Sequence, residues 1–501
     1  MSDPGGRGDA FCGINPEALQ GTITSLKADA DRLHGSALRF KTRFDRLGID
    51  AQPLTKLVHI ATWANDQLPM LRRRHHLAVL IDEGGNPFSH YPNHPEMVMV
   101  DEGEVAEGPP RASDLPTGSD PRLNSDWWDS LSPGMKAEVQ FLYPGRIGAM
   151  DGLPAVVRDR TNRVVFGELY GTAKAKLAKL NAQEPAQYEQ GSNPFGEALE
   201  ASAWQDWKEQ RGRLEGQLKG MDAIHSRLGR TGAGDLPRAY LLGIDTHHLG
   251  HVIIANGNPD TADHTAVYVP GTTSKLAGAG GDIKRMESLW RTSRMMAPGQ
   301  SVSTITWIGY DAPQSIVPEA MSTSYADKGA PVLNRFLDGL QTAQGGANAS
   351  HATVIGHSYG STLVGDASKQ HGHFAADDIV VAGSPGMLVG NADQLDVGAK
   401  HTWSEAAATQ YDQVPAGGKV AGLGGSSVEV RTWHGIPYDA AVNVDVVPSD
   451  RAFGANIMQT DSHGHGGYWD ASTHGGNWEA STSLKNQAAV VTGNYDEVKR
   501  G

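Results

Sequence analysis

The chain is poor in cysteine, in positive charge and in long apolar runs. Cys12 is the single cysteine among 501 residues, which excludes an intramolecular disulfide framework and any Cys-x-x-Cys pair for structural zinc or redox work. No segment approaches the ~18 uninterrupted apolar residues of a membrane span. Met1 to Gly13 carries one basic residue and no apolar h-region of a secretion signal. The expectation is a soluble chain without a transmembrane segment, cytoplasmic or exported by a specialised route that needs no general signal peptide. Lys and Arg number 43 against 57 Asp and Glu, a formal charge of -14, and a nucleic-acid partner is not expected because phosphate binding needs a net basic surface. The 39% hydrophobic residues and 61 glycines suit a globular protein with many tight turns. Its length calls for more than one structural unit.

Residues 1–83 read as a helical hairpin: Leu19, Ile23, Leu26, Ala30 and Leu33 recur at three- and four-residue steps, as do Ile60, Trp63, Leu68 and Leu71, with Leu47-Gly48-Ile49-Asp50 as the stop between them. The pair resembles the small helical-pair proteins handled by actinobacterial specialised secretion systems. An arm of this kind is where self-association or a protein partner is expected. Residues 84–123, with Gly108-Pro109-Pro110 and Leu115-Pro116-Thr117-Gly118, read as linker. Residues 124–237 read as a helical accessory segment whose two long polar helices break around Gly191-Ser192-Asn193-Pro194. From 238 to 501 short apolar runs alternate with helical patterns. Strands are expected at 240–244, 251–255, 265–269, 303–308, 353–355, 379–382 and 428–433, giving an α/β domain with a mostly parallel sheet.

The chemical signal is Thr353-Val354-Ile355-Gly356-His357-Ser358-Tyr359-Gly360-Ser361, a β-branched run into Gly-x-Ser-x-Gly into small helix-forming residues. In a nucleophile elbow the serine occupies a strained turn whose flanking glycines avoid clashes between strand and helix. Serine at neutral pH needs a histidine base and a carboxylate behind it, here in the order Ser, acid, His. Downstream lie His371, His373, His401, His434, His463, His465 and His474. The glycine-rich loop Asp461-Ser462-His463-Gly464-His465-Gly466-Gly467 is placed to fold back over the sheet edge. Asp439, Asp445 and Asp450 are the acids after the last expected strand, and spacing does not choose among them. For the oxyanion hole, Tyr359 supplies one backbone N–H, and Gly271 or Thr272, at the end of Ala266-Val267-Tyr268-Val269-Pro270, supplies the second.

Several ordered segments together resemble an actinobacterial α/β-hydrolase family formerly catalogued as a domain of unknown function. They are Met150-Asp151-Gly152-Leu153-Pro154 with Arg158-Asp159 and Asn162-Arg163, Val269-Pro270-Gly271-Thr272, Thr306-Trp307-Ile308-Gly309-Tyr310-Asp311, the Gly-His-Ser-Tyr-Gly elbow, and Gly383-Ser384-Pro385-Gly386. The resemblance implies an α/β-hydrolase fold with N-terminal and inserted helical regions. It also implies an Asp-x-Val acid loop, matched by Asp445-Val446-Val447, and a histidine three residues before an aromatic, matched by His465 and Tyr468. The elbow further resembles those of lipases and cutinase-like esterases, which implies a serine esterase acting on a small-molecule or lipid-like ester with no metal or organic cofactor. An amidase or thioesterase would use the same triad. Two rival readings stand beside this one: a metal-dependent hydrolase using His463, His465 and Asp461 or Asp245, His247, His248 and His251, and a catalytically idle fold used as a binding or scaffold module.

Overall fold

A computed structural model describes residues 16–47, 49–82, 112–188, 200–232, 236–369, 374–433 and 436–501. Cys12, most of the expected linker, the break at Gly191 to Pro194, and His371, His373 and His434 lie outside the described residues. The chain divides into two compact units, Met1–Pro116 with Trp127–Ile147, and Thr117–Asp126 with Gly148–Gly501. Among the described residues no helix is long and apolar enough to cross a membrane.

In the first unit, α1 (Pro16–Leu47) and α2 (Gln52–Asp82) pack along one another. Their buried residues are Ile23, Ala30 and Ala37 on α1 and Ala61, Ala64 and Leu68 on α2. These follow the three-, four- and seven-residue steps of a helix–helix seam, with alanines that let the backbones approach. Asp50 accepts the Gln52 N–H at 2.9 Å and so starts α2. Helices α3 (Pro121–Ser130), α4 (Pro133–Leu142) and α5 (Pro144–Ala149) each open on proline, which suits a first turn that needs no N–H.

The second unit takes the start of α3 and, after Gly148, continues with α6 (Ala155–Asn181) and α7 (Ser202–Gly229). Then come β1 (Ala239–Asp245), β2 (His251–Asn256), β3 (His264–Val269), α8 (Ala279–Met296), β4 (Val302–Ile308), α9 (Ser324–Gln344), β5 (His351–His357), α10 (Tyr359–Ser368) and β6 (Asp378–Ala382). Next are β7 (Thr402–Glu405), α11 (Val414–Ala421), β8 (Gly425–Trp433), β9 (Ile436–Val446), β10 (Asn456–Ile457), β11 (Ala471–His474), β12 (Asn477–Ala480) and α12 (Thr482–Val491). Eight strands form one sheet in the order β1-β2-β4-β3-β5-β6-β7-β10. Five of its seven pairings are parallel, the exceptions being β1 with β2 and β2 with β4.

The strand period of two sorts side chains between the faces. Val267 and Val269 of β3, Val354 of β5 and Val381 of β6 join a core with Leu333, Phe336 and Leu363 of α9 and α10. Ala266, Tyr268, Ile355 and Val380 join another with Met286 and Leu289 of α8 and Leu484 and Ala488 of α12. The expected strand at 428–433 is not part of this sheet. It belongs to β8, which pairs only with β9 in an antiparallel hairpin, while the sheet is completed by β7 and β10, which are too short and polar to stand out in the sequence.

The Met150-to-Arg163 motif docks α6 onto β1. Buried Asp159 accepts the Leu241 N–H at 2.8 Å and faces Arg163 at 2.8 Å and Arg238 at 2.9 Å. Asn162 donates to the carbonyls of Gly148 and Leu241, and Arg158 pairs with Asp151 at 2.9 Å. Asp159→Ala would strand one buried N–H and two guanidinium groups, so a loss of about 2–4 kcal/mol is expected in denaturant unfolding; an unchanged midpoint would show that the motif does not carry this junction.

Candidate active site

Strands β3 and β5 are neighbours, and Val269 pairs with Gly356. Their C-terminal ends are therefore level, and the loops that leave them emerge side by side at the carboxyl edge of the sheet, where open α/β sheets bind ligands. Ser358 is the residue between β5 and α10. Its φ of 52° and ψ of -132° put a non-glycine residue in a strained conformation. The Ser358 N–H is held by the Ala382 carbonyl at 3.1 Å.

The flanking glycines have steric reasons. A Cβ on Gly356 would lie 2.6 Å from the Ser361 Cα, and one on Gly360 would lie 2.1 Å from the Val269 carbonyl oxygen. Gly271 lies directly against the elbow, since a Cβ there would sit 2.6 Å from the Ser358 Cβ and 2.8 Å from the Tyr359 nitrogen. The segment expected to supply the second oxyanion donor thus abuts the first, Tyr359. Beyond Thr272, Thr273 has a φ of 69° and its N–H is fixed by the Pro313 carbonyl at 2.7 Å.

The acid at His465 is Asp412. The His465 Nδ1 lies 2.9 Å from the Asp412 Oδ2, and the Tyr468 hydroxyl donates to the same oxygen at 2.6 Å. The other carboxylate oxygen accepts the Val414 N–H at 3.0 Å. Burial alone would raise the Asp412 carboxyl, but the hydrogen bonds from His465 and Tyr468 outweigh it and hold the group below the ordinary aspartate value. An ionised acid at Nδ1 places the imidazole proton there and leaves Nε2 as the acceptor, the tautomer a general base requires. That Nε2 is buried and has no hydrogen-bond partner among the described residues.

The expectation of Asp445 is corrected by this geometry. Asp445 is an exposed residue of β9, opposite Ser426 in the separate hairpin, and the described contacts do not bring it to His465. Asp450 is taken up by Lys419 at 2.8 Å and the Val447 N–H at 2.9 Å. The side chain of Asp439 lies outside the described residues. His463 is exposed and meets the Tyr411 ring edge-on at 5.0 Å. The expected aromatic, Tyr468, is buried and grips the acid while receiving the Ala407 N–H at 3.0 Å. Asp412 carries no signal in the sequence because it follows β7, a four-residue Thr-Trp-Ser-Glu strand with little apolar character; the one cue is that it is a carboxylate lying between Ser358 and His465 in the chain.

Gly383, in the Gly-Ser-Pro-Gly segment, has a φ of 56° and borders the acid–histidine pair. A Cβ there would lie 2.7 Å from the Asp412 Oδ2 and 2.9 Å from the His465 Nδ1. Gly383→Ala is therefore expected to push Asp412 and His465 apart and to lower any hydrolytic rate that depends on the pair by about 10²-fold, the scale of a 1 Å misplacement; an unchanged rate in this variant would show that the contact is not used.

Neither imagined metal set is assembled. Asp461 accepts the Thr482 and Ser483 N–H groups that begin α12, and His251 lies between Asp245 at 2.9 Å and Asp311 at 3.4 Å. Among the described residues no cluster of three or more His, Cys, Asp and Glu side chains could hold a metal ion.

Comparison with known proteins agrees with this architecture. Residues 245–417 match a family model described as Alpha/beta hydrolase, a stretch that contains Gly271, Ser358 and Asp412. The chain has the α/β-hydrolase fold. An uncharacterized Mycobacterium tuberculosis protein is 29% identical over 272 residues, covering 52% of this chain and 39% of that protein. The likeness thus spans about two fifths of that relative's length. An uncharacterized Mycobacterium bovis protein is 34% identical over 154 residues, 29% of this chain and 56% of its own. Among solved structures, one from a study of two fungal esterases of Rhizomucor miehei aligns with 42% of this chain and 56% of that chain at 13% identity, with a TM-score of 0.22. That overlap is too slight to inform the site.

Proposed function

We propose that this α/β hydrolase is a serine hydrolase acting on carboxylic esters, with Ser358 as nucleophile, His465 as general base and acid, and Asp412 as the carboxylate that orients it. The reading rests on a strained, positive-φ Ser358 and on a histidine tied to the neighbouring His357 through its backbone carbonyl, whose Nδ1 lies on a buried carboxylate and whose Nε2 is left without a partner among the described residues. In this reading Ser358 Oγ attacks the ester carbonyl while Nε2 takes its proton, and Asp412 stabilises the imidazolium that results. The negative charge that develops on the carbonyl oxygen is met by the Tyr359 N–H and by that of Gly271 or Thr272. Collapse expels the alcohol, protonated by His465, and leaves an acyl-Ser358 ester. Water, deprotonated by the same Nε2, then releases the acid.

The loop between β4 and α9 bears on the acyl group. It is bound to the β3 loop through the Pro313 carbonyl and through Gln314, which donates to the Ser274 carbonyl at 3.3 Å. Its other end holds the Tyr359 hydroxyl through the Ser322 carbonyl and the Ala326 N–H. Between these anchors Ile316 and Val317 stand 74% and 69% exposed. An apolar rim fastened to both arms of the oxyanion hole favours esters with an apolar acyl chain over charged or sugar-like ones.

The test is labelling of the purified protein by a fluorophosphonate, together with p-nitrophenyl esters of increasing chain length. Covalent labelling with turnover that rises from acetate to octanoate supports the proposal. A well-folded protein that takes no label and cleaves no ester would point instead to a catalytically idle fold.

A further inference from the structure

His357 stands between Gly356 and the nucleophile and is buried, yet it takes no part in the steps above. Its Nε2 lies 2.7 Å from the backbone carbonyl oxygen of His465, so Nε2 carries the proton and donates it. Its ring lies over that of His465, with centroids 4.7 Å apart and planes inclined by 31°. Trp469 packs edge-on against it at 5.1 Å. On the far side the Tyr268 hydroxyl is 3.5 Å from Nδ1, and that hydroxyl receives the Arg285 guanidinium at 2.8 Å and lies 3.2 Å from Asp282.

The loop that carries His465 is rich in glycine, and its own bonds converge on the Gly464 carbonyl, which accepts the Gly467 N–H at 3.2 Å and the Ser462 hydroxyl at 2.6 Å, without fixing the carbonyl of His465. Gly464, Gly466 and Gly467 surround the histidine, and glycine gives the backbone more freedom than any other residue. Asp412 grips the ring at one atom, Nδ1. A ring held at one atom on such a loop can pivot about that bond and turn Nε2 away from the place a general base for Ser358 must occupy. A second anchor on the backbone of the same residue removes the pivot.

We propose that His357 is a positioning residue that clamps the backbone of His465 to the strand carrying the nucleophile. This rests on the triad reading above. Because His357 adjoins Ser358 in the chain, the clamp ties nucleophile and base together through one side chain, and any shift of β5 moves both. The charged and titratable groups around His357 are Arg285 and Asp282 on α8, reached through Tyr268, and His465 and Asp412. Burial, with Arg285 next, drives the His357 imidazole well below its ordinary value, so it stays neutral and adds no second positive charge beside the imidazolium formed during catalysis.

The experiment compares His357→Phe, which fills the space without a donor, with His357→Gln, which keeps an N–H donor. Hydrogen exchange of the 462–469 segment is expected to quicken about tenfold or more in the phenylalanine variant and to stay near wild type in the glutamine variant. In parallel, kcat on p-nitrophenyl butyrate should fall about 10- to 100-fold for phenylalanine with KM changed less than about twofold, and glutamine should recover most of the loss. Should His357→Phe fail to fold, His357→Leu makes the same comparison. Unchanged exchange in a folded donor-less variant, or an equal loss in both variants, overturns the clamp. Failure of wild type to take a fluorophosphonate would instead remove the hydrolase reading, while the exchange result would still decide the clamp.

Discussion

Ser358→Ala is expected to abolish fluorophosphonate labelling and to lower ester turnover by at least about 10⁴-fold. The hydroxyl is the only atom removed, and the backbone contacts that shape the turn do not involve it: the Ser358 N–H is held by Ala382, and its carbonyl oxygen is met by the Ser361 N–H at 2.9 Å and by the Ser361 hydroxyl. Folding and melting temperature should therefore match wild type, which separates a chemical loss from a structural one. A residual rate above the uncatalysed one is compatible with the proposal, because oxyanion donors from Tyr359 and the Gly271–Thr272 loop would persist. Wild-type turnover by the alanine variant would place the nucleophile elsewhere. A mass spectrum of the labelled protein, with the adduct on the peptide containing Ser358, is the direct check.

The parts of the site that could be read from the sequence are those with a local signature. The proposed nucleophile stands out because the turn tolerates no Cβ at Gly356 or Gly360, and this steric demand is written within five residues. His465 is legible for a similar reason, since the glycines that let its loop fold back lie next to it. An acid has no such signature. Any aspartate in a loop can serve, and which loop arrives at the imidazole is decided by strand order. That order departs from expectation at β8, whose Val428-Glu429-Val430 alternation suggests a sheet strand, whereas the polar four-residue β7 takes the place beside β6. Once β7 is in the sheet, the loop after it holds Asp412, and the order Ser358, Asp412, His465 follows the chain. The Arg158-Asp159 and Asn162-Arg163 motif shows the converse. It stands out in the sequence, yet its work is to satisfy the edge of β1, and only the contact with Leu241 reveals this. Helices α1 and α2 show the limit of apolar spacing: Ile23, Ala30 and Leu68 are buried as their steps suggest, but Ile60 and Trp63 stand 52% and 62% exposed, and the smaller Ala61 and Ala64 take the seam where the backbones approach.

The sharpest comparison is between two aspartates. Asp412→Asn preserves shape but replaces an acceptor of the Nδ1 proton with a group that can donate, which favours the wrong tautomer of His465 and takes away the charge that stabilises its protonated form. The expected loss is about 10⁴-fold in kcat with a much smaller change in KM. Asp445→Asn, on the exposed side of the hairpin, should stay within about twofold of wild type. The two variants also differ in acid. Because Asp412 is held below its ordinary value in the folded state, its ionised form contributes stability that is fully present above about pH 4 and is lost as the pH falls through the depressed value. Asparagine at 412 cannot lose that contribution, so its unfolding midpoint should be lower than wild type at neutral pH and should converge with it in strong acid, whereas Asp445→Asn should track wild type throughout. If Asp445→Asn proves the crippled enzyme and Asp412→Asn turns over normally, the hydrogen bond between Asp412 and His465 does not operate in catalysis, and the hairpin of β8 and β9 must move to the active site before the reaction begins.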